Sequence, residues 1–136
     1  MKSLMAVFVL FVAAQSFAQQ AQPQPVTLKS LLLQQLRETH NQKNWFVSGK
    51  EAAANLTPEQ AAWSDGKNHS VGQLMQHLVF WNSQSLAQFK GEHPSQPGDN
   101  NETFKFDPKQ WNNIVKQFDE VMTNLEAQVS SADDAK

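Results

Sequence analysis

The feature that most constrains the fold is a run of apolar side chains between residues 111 and 129. The spacing within this run alternates between four and three residues, and its members are Trp111, Val115, Phe118, Met122, Leu125 and Val129. Such spacing places every member on one face of an α-helix that lies along neighbouring helices at a shallow angle. No segment alternates apolar and polar residues with a period of two, so we predict an all-α fold.

A first amphipathic helix is predicted to begin at Thr27. Its apolar stripe consists mainly of leucines, and we expect two residues beyond position 40 to extend it. The members of the stripe are Leu28, Leu31, Leu32, Leu33, Leu36, Phe46 and Val47. Gly49 either ends this helix or interrupts it, and the spacing does not decide between these alternatives.

Two further helix starts follow. Residues 57–60 combine a threonine cap, a proline at the first helical position and a glutamine that can reach back. They predict a short helical elbow, in which Trp63 plugs one end of the core. Ser70, with Gln73 three residues later, begins a longer helix that we expect to stop at Gly91. Its apolar positions are Val71, Leu74, Met75, Leu78, Trp81 and Phe89.

Between this helix and the last one, residues 92–106 are rich in proline, glycine and asparagine, which is typical of a surface loop. Asp107 and Pro108, with Gln110, then repeat the pattern of cap, proline and glutamine. The last long helix is therefore predicted to begin close to Trp111.

The first residues match a secretory signal peptide. Lys2 supplies a positive charge, residues 4–14 are apolar, and residues 16–18 form a small-x-small cleavage site. The apolar stretch is shorter than the roughly 20 residues that span a bilayer. We expect a cleaved signal, with an uncleaved anchor as the alternative. The resulting divisions are a signal peptide at 1–18, a flexible Gln/Pro linker at 19–26 and a helical domain at 27–136.

Composition and charge narrow the classes of partner. The chain has no cysteine, so packing alone must stabilise an exported domain, which also lacks a thiol nucleophile of its own. The net charge of −2 becomes about −3 once Lys2 is removed. That field is too weak to indicate nucleic acid or anionic lipid. We expect a periplasmic or secreted protein with no nucleic-acid partner and, after cleavage of the signal, no membrane contact.

His77 is the most informative of the four histidines. It lies at the edge of the apolar stripe, one turn before Trp81, where it can point into a cleft between helices. There it either binds a metal or is simply packed. A metal needs three or four ligands, and no H-x-x-x-H, H-x-x-E-H or paired-cysteine spacing occurs. The spacing alone favours packing for His77 and His40, a role in the turn for His69, and a solvated loop position for His93.

The order of these segments resembles the DinB-like (damage-inducible) superfamily. Residues 56–63, followed by residues 70–78 and a long helix, carry the likeness, which covers residues 27–136. It implies an antiparallel four-helix bundle related to the bacillithiol- and mycothiol-dependent transferases. Three long helices are present, so we expect the fourth to be missing and the domain to be truncated at its C-terminus.

The resemblance also implies a site. In this family a histidine at the position of His77 is typically one of three imidazole ligands of a divalent metal, reported as zinc, nickel or iron. The other two usually form an H-x-x-x-H pair on the fourth helix. We therefore expect a metal on His77 in the intact protein and none bound tightly by this chain alone. Three further residues are expected to line the cleft: His40, Gln73 and Trp81.

The function implied is that of a metal-dependent hydrolase or thiol transferase acting on a small molecule. A metal with an open position can lower the pKa of bound water or of a thiol. An exported protein lies away from the cytosolic thiol pool, so hydrolysis is as compatible with the sequence as thiol transfer. The alternatives are a non-catalytic bundle that binds a ligand or partner, and a structural protein with an inert His77. Related bundles often pair through their helices, which suggests a homodimer.

Overall fold

The computed structural model of the chain describes residues 26–133. Within them no β-strand occurs, which confirms the predicted all-α fold, and no helix is long and apolar enough to cross a bilayer. The α-helices are α1 (Leu28–His40), α2 (Gly49–Ala53), α3 (Pro58–Ala62), α4 (Val71–Phe89) and α5 (Trp111–Ser131). Two 3₁₀ helices, Asn100–Phe104 and Pro108–Gln110, connect α4 to α5. The expected signal peptide and nearly all of the Gln/Pro linker lie outside the described residues.

The predicted helix starts are confirmed by their capping bonds. Thr57 and Ser70 each accept a hydrogen bond from the backbone of the glutamine three residues later, whose side chain bonds back to the cap. Thr27 forms the same reciprocal pair with Ser30. The stop predicted at Gly91 is confirmed as well, since α4 ends two residues earlier and Gly91 has a φ of 80°. A left-handed residue just after a helix is the position that favours glycine.

Helix α5 is the centre of the bundle, because α1 and α4 both pack against it. Five of its six predicted stripe residues are buried, and Val115 is partly buried. Trp111 closes one end of the core, and its indole N–H donates to the carbonyl oxygen of Leu56 at 2.9 Å. The other buried residues of α5 are Ile114 and Val121, and those contributed by α2, α3 and α4 are Ala53, Ala61, Met75 and Val79.

The helices do not run simply antiparallel. Lys29 at the start of α1 donates to the carbonyl of Ala132 after α5, so these two helices run in opposite directions. Helix α4 runs parallel to α5: Gly72 lies against Phe106, next to Trp111, while Leu78 lies beside the middle of α5. The connection at residues 90–110 returns along α4, which makes the parallel arrangement possible. Helix α1 therefore runs antiparallel to α5, while α4 and α5 run side by side in the same direction.

Two helices leave apolar residues exposed. On α1 the leucines at 28, 31 and 32 are all exposed, Leu28 to 70%, and the buried residue of this helix is His40. On α4 only Met75 of the predicted apolar positions is buried, because the helix turns a face formed by Gly72, Met75 and Val79 toward α5. We call the exposed set the leucine faces: Leu28, Leu31 and Leu32 of α1, with Val71, Leu74 and Leu78 of α4.

Three local predictions were wrong or left open, and the structure settles each. α1 ends at His40, so Phe46 and Val47 do not extend its stripe. Gly49 neither stops nor interrupts α1, but begins α2 after the cap Ser48. Trp63 does not plug the core: it follows the last residue of α3 with an extended backbone and is 73% exposed.

Candidate functional site

His77 faces the connection between α4 and α5, on the side of α4 away from the core. At about 100° per residue, His77 lies nearly opposite the buried face of Met75 and Val79. The 3₁₀ helix Asn100–Phe104 packs on this side of α4 and leaves His77 partly buried. A segment predicted to be a surface loop therefore forms one wall of the His77 site.

A short chain of hydrogen bonds links His77 to this 3₁₀ helix. The Nδ1 atom of His77 lies 2.6 Å from the hydroxyl oxygen of Thr103. That hydroxyl donates to the carbonyl oxygen of Asn100, also at 2.6 Å. Thr103 is only 4% exposed, so these bonds are shielded from water.

Two aromatic rings contact the imidazole of His77. The ring of Phe104 stacks on His77 with centroids 4.0 Å apart and planes 9° apart. The other face of the Phe104 ring stacks on His69, with ring centroids also 4.0 Å apart. Trp81 meets His77 edge to face at 6.3 Å, and its indole N–H donates to the side-chain oxygen of Asn100 at 3.3 Å. Asn100 thus holds two neighbours of His77, Thr103 through its backbone and Trp81 through its side chain.

The other two cleft candidates lie elsewhere. Gln73 directs its amide oxygen to the backbone N–H of Ser70, in the cap of α4. His40 is 1% exposed and lies between α1 and α5. Its Nδ1 is 2.7 Å from a carboxylate oxygen of Glu126, and its Nε2 is 3.0 Å from Asp119. Only Trp81, of the three, is brought together with His77.

The surroundings of His40 are those of an ion-pair network. Lys50 of α2 contacts the Asp119 carboxylate at 2.7 Å, and the Nε of Arg37 lies 3.6 Å from Glu126. The hydrogen bond from Lys50, and then that from His40, hold the pKa of Asp119 below its usual range. With both ring nitrogens in contact with carboxylates, His40 fastens α1 to α5 and is already engaged within the protein.

His77 is a candidate metal ligand, but the described residues do not form a complete metal site. Within residues 26–133 no three histidine, cysteine or carboxylate side chains are arranged so that they could hold a metal ion. The Nε2 of His77 makes no hydrogen bond to this part of the chain. Seven residues further along the same side of α4, the buried Oε1 of Gln84 also lacks a hydrogen-bond partner there. A buried acceptor of this kind costs about 1–3 kcal/mol unless a water or ligand satisfies it.

Sequence reasoning missed the residues of the 3₁₀ helix. Asn100, Thr103 and Phe104 lie in a stretch whose polar composition predicts only a loop. A local signal was present, because Asp99 accepts from the backbone N–H of Asn101 and so caps this helix. Phe104, an aromatic residue in a polar segment, was the second clue to a packed structure.

Comparison with protein families places residues 50–136 in the DinB superfamily. The match begins in α2 and includes α3, α4 and α5, and therefore His77 and the wall formed by residues 100–104. No curated protein and no solved structure matches the chain.

Proposed function

The chain belongs to the DinB superfamily, and on that premise we propose that it forms part of a metal-dependent enzyme in which His77 is one ligand. The observation that carries the proposal is the state of this imidazole. One ring nitrogen is tied to Thr103, the ring is held by Phe104 and Trp81, and the other nitrogen has no hydrogen-bond partner in the described residues. A fixed imidazole with one nitrogen available is the form in which histidine binds a metal.

The cofactor proposed is a divalent ion, zinc, nickel or iron. When bound with an open position, such an ion lowers the pKa of a coordinated water or thiol, which suits hydrolysis or thiol transfer on a small molecule. The further ligands would come from outside residues 26–133. The part played by the described residues is to orient the His77 ring and to shield one side of it from water.

The site of action proposed is the periplasm or the exterior of the cell. The support is the signal-peptide pattern of residues 1–18. The weak net charge supports the absence of a nucleic-acid partner and of membrane contact after cleavage. The mass of the mature protein tests the export proposal, which requires a chain beginning at Gln19 and fails if the chain begins at Met1.

Metal content tests the proposed role of His77. We would purify the product of the whole gene from its native host without chelators, beside its His77→Ala variant, and measure bound metals by mass spectrometry. His93→Ala is the matched control, because it removes an exposed imidazole from the connection after α4. We expect metal in the wild type and in the control and its loss from His77→Ala. Equal metal in all three proteins, or none in the wild type, would overturn the proposal.

The isolated chain gives a second check. A single imidazole does not compete with chelating buffers, so residues 19–136 produced alone are expected to lose added zinc on dialysis. Zinc retained at one equivalent by that chain would contradict this expectation.

A second candidate function is binding without catalysis. A groove of about 410 Å³ lies between α1 and α4, with Leu36 and Leu78 on its walls and Phe118 and Met122 on its floor. An apolar groove of this size is typical of small-molecule sites. Saturable binding of an apolar fluorescent probe, lost in Met122→Lys but unaffected by His77→Ala, would favour this function over the first.

A further inference from the structure

We propose that Thr103 is a positioning residue that holds neutral His77 in a single tautomer, with the proton on Nδ1 and the lone pair on Nε2. The inference deepens the proposed function and rests on it only where the ligand of Nε2 is taken to be a metal. The tautomer itself follows from the hydrogen bonds of the described residues.

The number of protons shared by Thr103 and His77 decides the tautomer. The hydroxyl of Thr103 has one proton and lies 2.6 Å from two atoms, the Asn100 carbonyl oxygen and the His77 Nδ1. A carbonyl oxygen cannot donate, so the short contact with Asn100 is attractive only if the hydroxyl proton points there. The hydroxyl must then accept from His77, and Nδ1 must carry a proton. A neutral imidazole has only one, so Nε2 is left with the lone pair.

The residues around His77 disfavour rotation of its imidazole ring. Rotation of the imidazole by half a turn would replace Nδ1 with a carbon and leave the buried Thr103 hydroxyl without its donor. Phe104 stacks against one face of the ring, and Trp81 contacts the ring edge to face. Asn100 bonds to both Thr103 and Trp81, so the two restraints on His77 share one support.

The consequence is that only Nε2 can bind an electron-pair acceptor. In metal sites, the hydrogen bond donated by the second ring nitrogen orients the ligand and raises its basicity. Loss of such a bond typically lowers metal affinity by about 10- to 100-fold. Thr103 has this relation to His77, although the two residues lie on different elements, 26 positions apart in the sequence.

Nuclear magnetic resonance of the metal-free chain tests the tautomer directly. With ¹⁵N-labelled histidine at about pH 8, where an ordinary imidazole is neutral, two-bond ¹H–¹⁵N correlations identify the protonated nitrogen of His77. We expect the Nδ1–H form alone in the wild type and in Thr103→Ser, which keeps the hydroxyl. In Thr103→Val we expect this single form to be lost. Thr39→Val, which removes a hydroxyl bonded only to backbone carbonyls of α1, is the control and should not change the His77 signals.

Two results would overturn the inference: an Nε2–H form of His77 in the wild type, or an unchanged Nδ1–H form in Thr103→Val. If Thr103→Val does not fold, the wild-type and Thr103→Ser spectra decide in the same way.

Metal content, measured as for His77→Ala, separates this inference from the proposed function. We expect Thr103→Val to retain less metal and Thr103→Ser to restore it. An Nδ1–H wild type whose metal content does not depend on His77 would leave the positioning role standing and remove the metal function.

Discussion

The two sides of the bundle use similar apolar patterns with different results. Along α5, five of the six residues of the heptad stripe are buried. Along α1, a run of leucines that also has helical periodicity is exposed at its first three positions. Periodicity therefore identifies an apolar face, but it does not tell whether another element covers that face.

The difference follows from the position of each helix. α5 lies between α1 and α4 and can bury residues on two sides of its stripe. α1 contacts α5 through His40, whose carboxylate partners Glu126 and Asp119 lie on α5, and only Leu36 of its leucines lines the groove beside α4. Contiguous apolar surface of this kind marks sites of interaction in soluble proteins.

Two leucine-to-alanine substitutions test the difference in burial between α5 and α1 most directly. Leu125→Ala removes a side chain that is 3% exposed in the α4–α5 core, and should lower the free energy of unfolding by about 2–5 kcal/mol. Leu31→Ala makes the same change on the leucine face of α1, where the side chain is 52% exposed, and should cost less than about 1 kcal/mol. Urea unfolding measures both. Equal losses would show that α1 is covered in solution.

Gly72, at the start of α4, tests how tightly α4 is packed against Phe106. In Gly72→Ala the added methyl group would overlap the ring of Phe106, which packs against Trp111. Overpacking of a core typically costs about 1–3 kcal/mol. Gly98→Ala is the control, because nothing lies within contact distance of the added group. Thermal unfolding should show a lower midpoint for Gly72→Ala only; an unchanged midpoint would mean that the Phe106 ring moves away freely.

The ion pairs that attach α1 and α2 to α5 predict a dependence on pH. The pKa of Asp119 is lowered in the folded state, first by Lys50 and then by His40. Its contribution to stability is therefore present above the ordinary aspartate pKa, about 3.9, and is lost as the pH falls through the lower folded value. Because this carboxylate is partly exposed, Asp119→Asn should cost no more than about 1 kcal/mol near pH 7.

Urea unfolding of wild type and Asp119→Asn near pH 7 and near pH 3 measures this dependence, and the difference between them should shrink in acid. Glu120→Gln, on the exposed side of α5, is the matched carboxylate control and should show a smaller effect at both pH values. A difference that grows in acid would contradict the assignment.

The smallest effect on stability is expected on the leucine faces themselves. Leu74→Glu places a charge where the side chain is already exposed, so the free energy of unfolding should change by only about 0.5 kcal/mol. The variant also tests the proposed homodimer. If two copies pair through this surface, sedimentation will show a dimer for the wild type and a monomer for the variant. A dimer in both would place the contact elsewhere.

The local features of the chain could be predicted because they depend on near neighbours. The capping pairs at Thr57 and Ser70 join residues three apart, and the stripe of α5 needs only helical geometry. His77 could be identified as a candidate site residue from its position on the predicted helix and from the family resemblance. Neither required knowledge of how the helices pack.

The sequence by itself determined the helical class, the starts of α1, α3, α4 and α5, and the apolar face of α5, since each follows from contacts within a turn or two of helix. Only the tertiary structure decided which leucines are covered, where His40 and Trp63 lie, and which atoms surround His77. The surroundings of His77 depend on the path of residues 90–110, which returns along α4 and brings Thr103 to His77. Contacts between residues far apart in the sequence are set by chain path and packing, and no local spacing encodes them.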